Sequence, residues 1–124
     1  MSAPRHPLAP PAGTPLCSIS EVPDGGGREV AFGEGREAFR VLLLRRGDDV
    51  YGYRNLCPHF SLPLHYHPQR FVTVERTLVV CAHHNATFRF EDGGCVDGPC
   101  GEVGLAPFPV RREGDQLLAG DFLP

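Results

Sequence analysis

The sequence predicts an all-β domain, and two observations carry that expectation. Gly and Pro together supply 28 of its 124 residues, far more than a helical chain tolerates, so many turns must join short elements. The apolar runs between those turns are short and recur at intervals of about eight to twelve residues, the spacing of a sandwich or barrel. At 13.5 kDa the chain is long enough for one core and too short for a second.

The Pro-rich opening, residues 1–13, carries too few apolar residues to order itself and reads as a disordered tail, which leaves 14–124 as a single domain. Leu16–Ile19 is the first strand candidate. The turn Pro23-Asp24-Gly25-Gly26-Gly27 leads to a second strand at Arg28–Phe32. Phe39–Leu44, apolar except for Arg40, is a run short enough to be a buried strand rather than a helix. Val50–Leu56 alternates after the polar loop Arg45–Asp49. A Pro-bearing loop from Cys57 to Gln69 precedes strands at Phe71–Val74 and Leu78–Cys81. Thr87–Phe90 is short and aromatic, and Glu91-Asp92-Gly93-Gly94 is a turn. Segments 106–111 and 116–119 supply two closing strands around Glu113-Gly114-Asp115.

Composition removes several function classes. The net charge is −3, and all 12 basic residues are Arg, scattered rather than clustered, so no nucleic-acid face is advertised. No apolar run approaches the roughly 18 residues of a membrane span, and the first 13 residues lack the apolar stretch of a secretory signal. Five cysteines without such a signal favour reduced thiols or metal ligands in a cytoplasm over a disulfide framework.

Cysteine and histidine are concentrated in one stretch. Cys57-Pro58-His59 is a C-x-H, and Cys81-Ala82-His83-His84 is a C-x-x-H. Each follows a strand candidate and opens a loop. Two such loops, each giving a thiolate and an imidazole, can clamp one metal centre between them, and tight local pairs lower the entropy cost of assembly. Zinc fingers usually pair Cys with Cys and His with His. Mixed pairs suit a binuclear cluster in which one iron takes both thiolates and the other both imidazoles. A mononuclear zinc site remains the alternative on these residues alone.

Over roughly residues 16–120 the chain resembles a Rieske 2Fe–2S domain. The likeness rests on the two motifs, on Tyr53–Leu56 before the first, on Leu64, on Ala86-Thr87-Phe88 after the second, and on Gly93–Cys100, similar to the Pro-bearing loop that covers the cluster. The resemblance implies a Rieske-like β-sandwich or barrel with a small cluster-binding subdomain. It implies one 2Fe–2S cluster, with Cys57 and Cys81 on one iron and His59 and His84 on the other. Two departures touch no ligand: a loop insertion at Tyr66–Arg70, and Asn85 where the family usually has Gly. Asn is the residue after Gly best able to adopt a left-handed conformation.

Neighbouring residues have plainer readings. His83 is displaced from the C-x-x-H spacing and reads as a loop residue, as do His65 and His67 in the insertion. Cys17 reads as a buried strand residue. Cys95 and Cys100 flank a turn, and whether they pair is left open by the sequence. Respiratory members of the family carry a second Cys three residues after the first His and hydroxyls after the second. Leu62, Ala86 and Phe88 stand at those positions here, which resembles a low-potential Rieske-type ferredoxin.

Such a resemblance implies a soluble, cytoplasmic one-electron carrier between a flavin reductase and a terminal oxygenase. It would have no catalytic residues and no small-molecule substrate, since little chain follows Cys100 to build a second iron site. An accessory subunit of a nitrite-reductase-like enzyme, a redox sensor and a zinc-stabilised interaction module are the other readings.

Overall fold

A computed structural model describes residues 9–35, 38–55, 72–75, 77–80, 86–97 and 104–120. These residues form ten strands: β1 (Pro15–Ser18), β2 (Gly27–Phe32), β3 (Phe39–Arg46), β4 (Asp49–Arg54), β5 (Val72–Val74), β6 (Leu78–Val80), β7 (Thr87–Arg89), β8 (Cys95–Asp97), β9 (Val110–Glu113) and β10 (Gln116–Ala119). Ile19–Glu21 adds a single 3-10 turn, and no described helix is long and apolar enough to cross a membrane. The strands build three antiparallel sheets, ordered β1-β10-β9, β2-β3-β4 and β5-β6-β7-β8. The four-stranded sheet is inserted in the chain between β4 and β9, as the expected subdomain arrangement requires.

Turn chemistry sets the register of two hairpins. Arg46 pairs with Asp49 and Glu113 with Gln116, so each turn is a Gly-Asp dipeptide. Gly47 (φ 62°) and Gly114 (φ 60°) occupy the first central position in the left-handed region, where a side chain is strained.

The apolar run of β3 has a simple explanation. Its successive side chains point to opposite faces, and each face meets its own core. Leu42 and Leu44 join Tyr53, Val79, Ala86, Phe88, Phe90 and Leu105. Phe39, Val41 and Leu43 join Ile19, Val22, Phe108, Leu117 and Ala119. The first core ties the central sheet to β6 and β7, and the second ties it to β10. Leu42 and Leu43 are both fully buried, so truncating either to Ala should cost about 2–5 kcal/mol. Thermal unfolding should report similar losses for the two variants, but only Leu42→Ala should loosen β6 and β7.

Several details depart from the sequence reading. The first closing strand begins at Val110 rather than 106, because Pro107 and Pro109 lack the N–H a ladder needs. Pro107 makes only an isolated bridge to Tyr53. The segment still closes on β4: Arg54 N–H donates to Ala106 O (2.8 Å) and Phe108 N–H to Gly52 O (2.9 Å). A Cβ on Gly52 would sit 2.4 Å from Phe108 O and from Val110 Cγ2. Gly52→Ala should therefore lower the unfolding temperature by several degrees, by pushing this segment off β4. β8 was not expected as a strand. Of the Pro-rich opening, Ala9 packs against the second core and Gly13 N–H donates to Ala119 O (2.7 Å).

Candidate metal centre

Cys57, His59, Cys81 and His84 lie outside the described residues, as do Leu62, Leu64, His65, His67, His83, Asn85, Cys100 and the insertion Tyr66–Arg70. What the structure gives is the scaffold from which both motifs depart. β4 ends at Arg54, and fully buried Asn55 follows it, two residues before Cys57. β6 ends at Val80, the residue before Cys81, and pairs there with Thr87. The second motif is thus bracketed by one register pair.

These departure points converge. Tyr53, four residues before Cys57, Val79, two before Cys81, and Ala86, two after His84, are all buried in the first core. Phe88 and Phe90 fill the same core and are fully buried. A folded chain therefore starts both motif segments from one packed base. Two thiolates and two imidazoles are the donor set that a binuclear cluster would need, and both motifs that could supply them start from this base.

Polar contacts fix the same region. The Tyr53 hydroxyl donates to Phe90 O inside the core. Burial, aided by the charge of Asp92, pushes the Tyr53 phenol well above the usual tyrosine range, so it stays a neutral donor at any working pH. Between β7 and β8, Arg89 Nε and Nη2 each lie 2.9 Å from an Asp92 carboxylate oxygen. Gly94 N–H donates to Asp92 Oδ1 (2.8 Å), and Gly93 takes a left-handed φ of 71°. The Arg89 hydrogen bonds hold the Asp92 carboxyl below the usual carboxylate range.

The cysteines outside the two motifs differ from one another. Cys17 is a free thiol, its pKa raised by burial and by Glu21. Cys95 is disulfide-bonded, with a partner outside the described residues, and packs against the first core. That bond departs from the expectation of reduced thiols, and the pairing with Cys100 lies outside the described residues. The sequence reading missed Glu29 and Arg40 altogether and met Asn55 only as text beside a motif. Glu29 is buried, and its carboxylate accepts from Arg40 Nη1 (2.7 Å) and Asn55 Nδ2 (2.5 Å). Nothing in the local pattern of β2 marks Glu29 as an inward residue.

No curated protein matches the sequence. Among solved structures, the ferredoxin of carbazole 1,9a-dioxygenase from Nocardioides aromaticivorans IC177 superposes with a TM-score of 0.66 at 23% identity, covering 86% of this chain and 97% of that one. A complex of reduced oxygenase and oxidized ferredoxin in carbazole 1,9a-dioxygenase matches with a TM-score of 0.69 at 25% identity, over 90% of this chain and 96% of that chain. The terminal oxygenase of carbazole 1,9a-dioxygenase from Novosphingobium sp. KA1 gives a TM-score of 0.69 at 23% identity, over 91% of this chain but 32% of that one. The family model described as the Rieske [2Fe-2S] domain matches residues 13–109, which spans both motifs and the core beneath them. The chain belongs to the Rieske [2Fe-2S] domain family, whose cofactor is one 2Fe–2S cluster.

Proposed function

We propose that the protein is a one-electron carrier in which Cys57 and Cys81 hold one iron of the cluster and His59 and His84 the other, and that it passes electrons from a flavin reductase to a terminal oxygenase. The observation that carries the ligand assignment is the convergence of Tyr53, Val79 and Ala86 in one core, which roots both motifs together. The carrier role is supported by coverage. The match covers 97% of a ferredoxin but 32% of an oxygenase, so the likeness lies in the electron-transfer module. A cytoplasmic setting belongs to this reading, since free cluster thiolates persist in a reducing compartment.

When bound, the cluster supplies a site that gains and loses one electron. The chain's own contribution is to hold two thiolates and two neutral imidazoles from a rigid base and to exclude water from their roots through Phe88, Phe90 and Leu42. The test is direct. The purified protein should be coloured, should take up one electron per chain with a paramagnetic signal on reduction, and should be reoxidised by a Rieske oxygenase. A colourless protein holding one zinc would overturn the reading. A coloured protein that exchanges electrons with no oxygenase would overturn the carrier role alone.

A further inference from the structure

Among the described residues, two polar side chains are buried, and they hold each other: Glu29 (7% exposed) and Asn55 (0%). A buried carboxylate adds little to stability even when paired, since an apolar residue of similar size often does as well. Its presence calls for another explanation. On the central sheet Glu29 faces Leu42, and Arg40 is two residues along β3 on the same face. That is the face that supplies Leu42 and Leu44 to the first core.

Arg40 grips Asn55 twice. Its carbonyl accepts the Asn55 backbone N–H at 2.8 Å, and its guanidinium orients the Glu29 carboxylate that accepts from the Asn55 side chain. Asn55 is thus fixed by backbone and side chain at the point where the chain leaves β4. Cys57 is only two positions further on, at most about 7 Å of chain away. Arg40 is 30% exposed while Glu29 is 7% exposed, so solvent screens the cation more than the carboxylate.

We propose that Glu29 and Asn55 are a positioning pair for the first ligand segment: the carboxylate, oriented by Arg40, fixes Asn55 and with it the departure of Cys57 and His59, and its charge opposes reduction of the cluster. The inference rests on the ligand assignment above, and the experiment separates the two.

A donor–acceptor swap tests it on the holoprotein. In Glu29→Gln the amide oxygen still accepts from Arg40, while its NH₂ meets Asn55, whose own amide can turn to accept. Asn55→Asp sets two carboxylates against each other. The double variant E29Q/N55D restores one hydrogen bond and the original charge with the roles reversed. Iron release to a chelator, followed by loss of visible absorbance, should be at least tenfold faster in Asn55→Asp and return close to the wild-type rate in E29Q/N55D. Glu29→Gln should release iron at nearly the wild-type rate yet favour the reduced form about threefold, which is ~28 mV at 59 mV per tenfold, and E29Q/N55D should reverse that shift.

Wild-type iron release in Asn55→Asp, or no recovery in the double variant, overturns the proposal. If Asn55→Asp alone fails to fold, a folded, cluster-bearing E29Q/N55D supports it, and a double variant that also fails to fold overturns it. Cys57→Ala is the control. A coloured Cys57→Ala removes the ligand assignment, and the inference with it. A bleached Cys57→Ala beside swap variants that behave as wild type removes only the inference.

Discussion

Alanine at Cys57, His59, Cys81 or His84 should bleach the protein completely, while alanine at His65, His67 or His83 should leave colour and iron content near wild type. A cluster that loses one of four protein ligands is opened to solvent and lost. The three remaining histidines stand off the C-x-H and C-x-x-H spacings. The discriminating pair is His83 and His84, adjacent in the segment bracketed by Val80 and Thr87. Bleaching by His83→Ala with colour retained in His84→Ala would exchange their roles. Iron and acid-labile sulfide, measured beside absorbance, report cluster loss, and circular dichroism reports whether the strands survive it.

The second large effect is on the midpoint potential. Rieske centres span about −150 to +300 mV, set in part by hydrogen bonds to the sulfurs. Ala86 and Phe88 offer no hydroxyl, and both are fully buried, so the reduced state lacks those donors and the midpoint should lie near the bottom of that span. Ala86→Ser or Phe88→Tyr should raise it by tens of millivolts, because a hydrogen bond of about 1 kcal/mol favours the added electron. Ala86→Ser is the gentler change. A hydroxyl on Phe88 enters a packed core, where an unpartnered group costs about 1–3 kcal/mol. Redox titration checks both, and a wild-type midpoint above about +200 mV within the Rieske span would contradict the low-potential assignment.

The same titration should depend on pH with a defined sign. With His59 and His84 as the ligands proposed above, reduction would add negative charge beside them and so raise the pKa of their outer ring N–H groups. Below both pKa values the imidazoles are protonated in either state and the midpoint is flat. Above the oxidised-state pKa, reduction takes up a proton and the midpoint falls, by about 59 mV per pH unit for one proton per electron. A midpoint flat to strongly alkaline pH would count against two-imidazole ligation.

The fold was legible where short-range chemistry decides it. Gly-bounded turns located most strands, and the run at 39–44, apolar except for Arg40, announced a buried strand, which the two cores on β3 bear out. β8 was not legible: three residues between Gly94 and Pro99 carry too little pattern to stand out from the Pro-bearing loop around them. β9 starts later than the apolar residues 106–110 suggest, because Pro107 and Pro109 lack the N–H groups a ladder needs. The C-x-H and C-x-x-H motifs stood out in the sequence because their spacing is local; their residues lie outside the described ones. Glu29 and Asn55 did not stand out, since their bond spans 26 residues and depends on strand register, which no window of sequence reports.

β3 lends one backbone to two cores, and that shapes how the molecule opens. A protein whose hydrophobic clusters sit on separate strands can let one melt while the other survives. Here neither cluster can come apart without disturbing the strand that seals the other. The amides of β3 should therefore exchange with solvent only through global unfolding, at a single slow rate along Val41–Leu44. The outer strands β5 and β8, each paired on one side only, should exchange through smaller, faster openings. Loss of the cluster should then leave this base folded, with the slow exchange of Val41–Leu44 unchanged in the apo-protein.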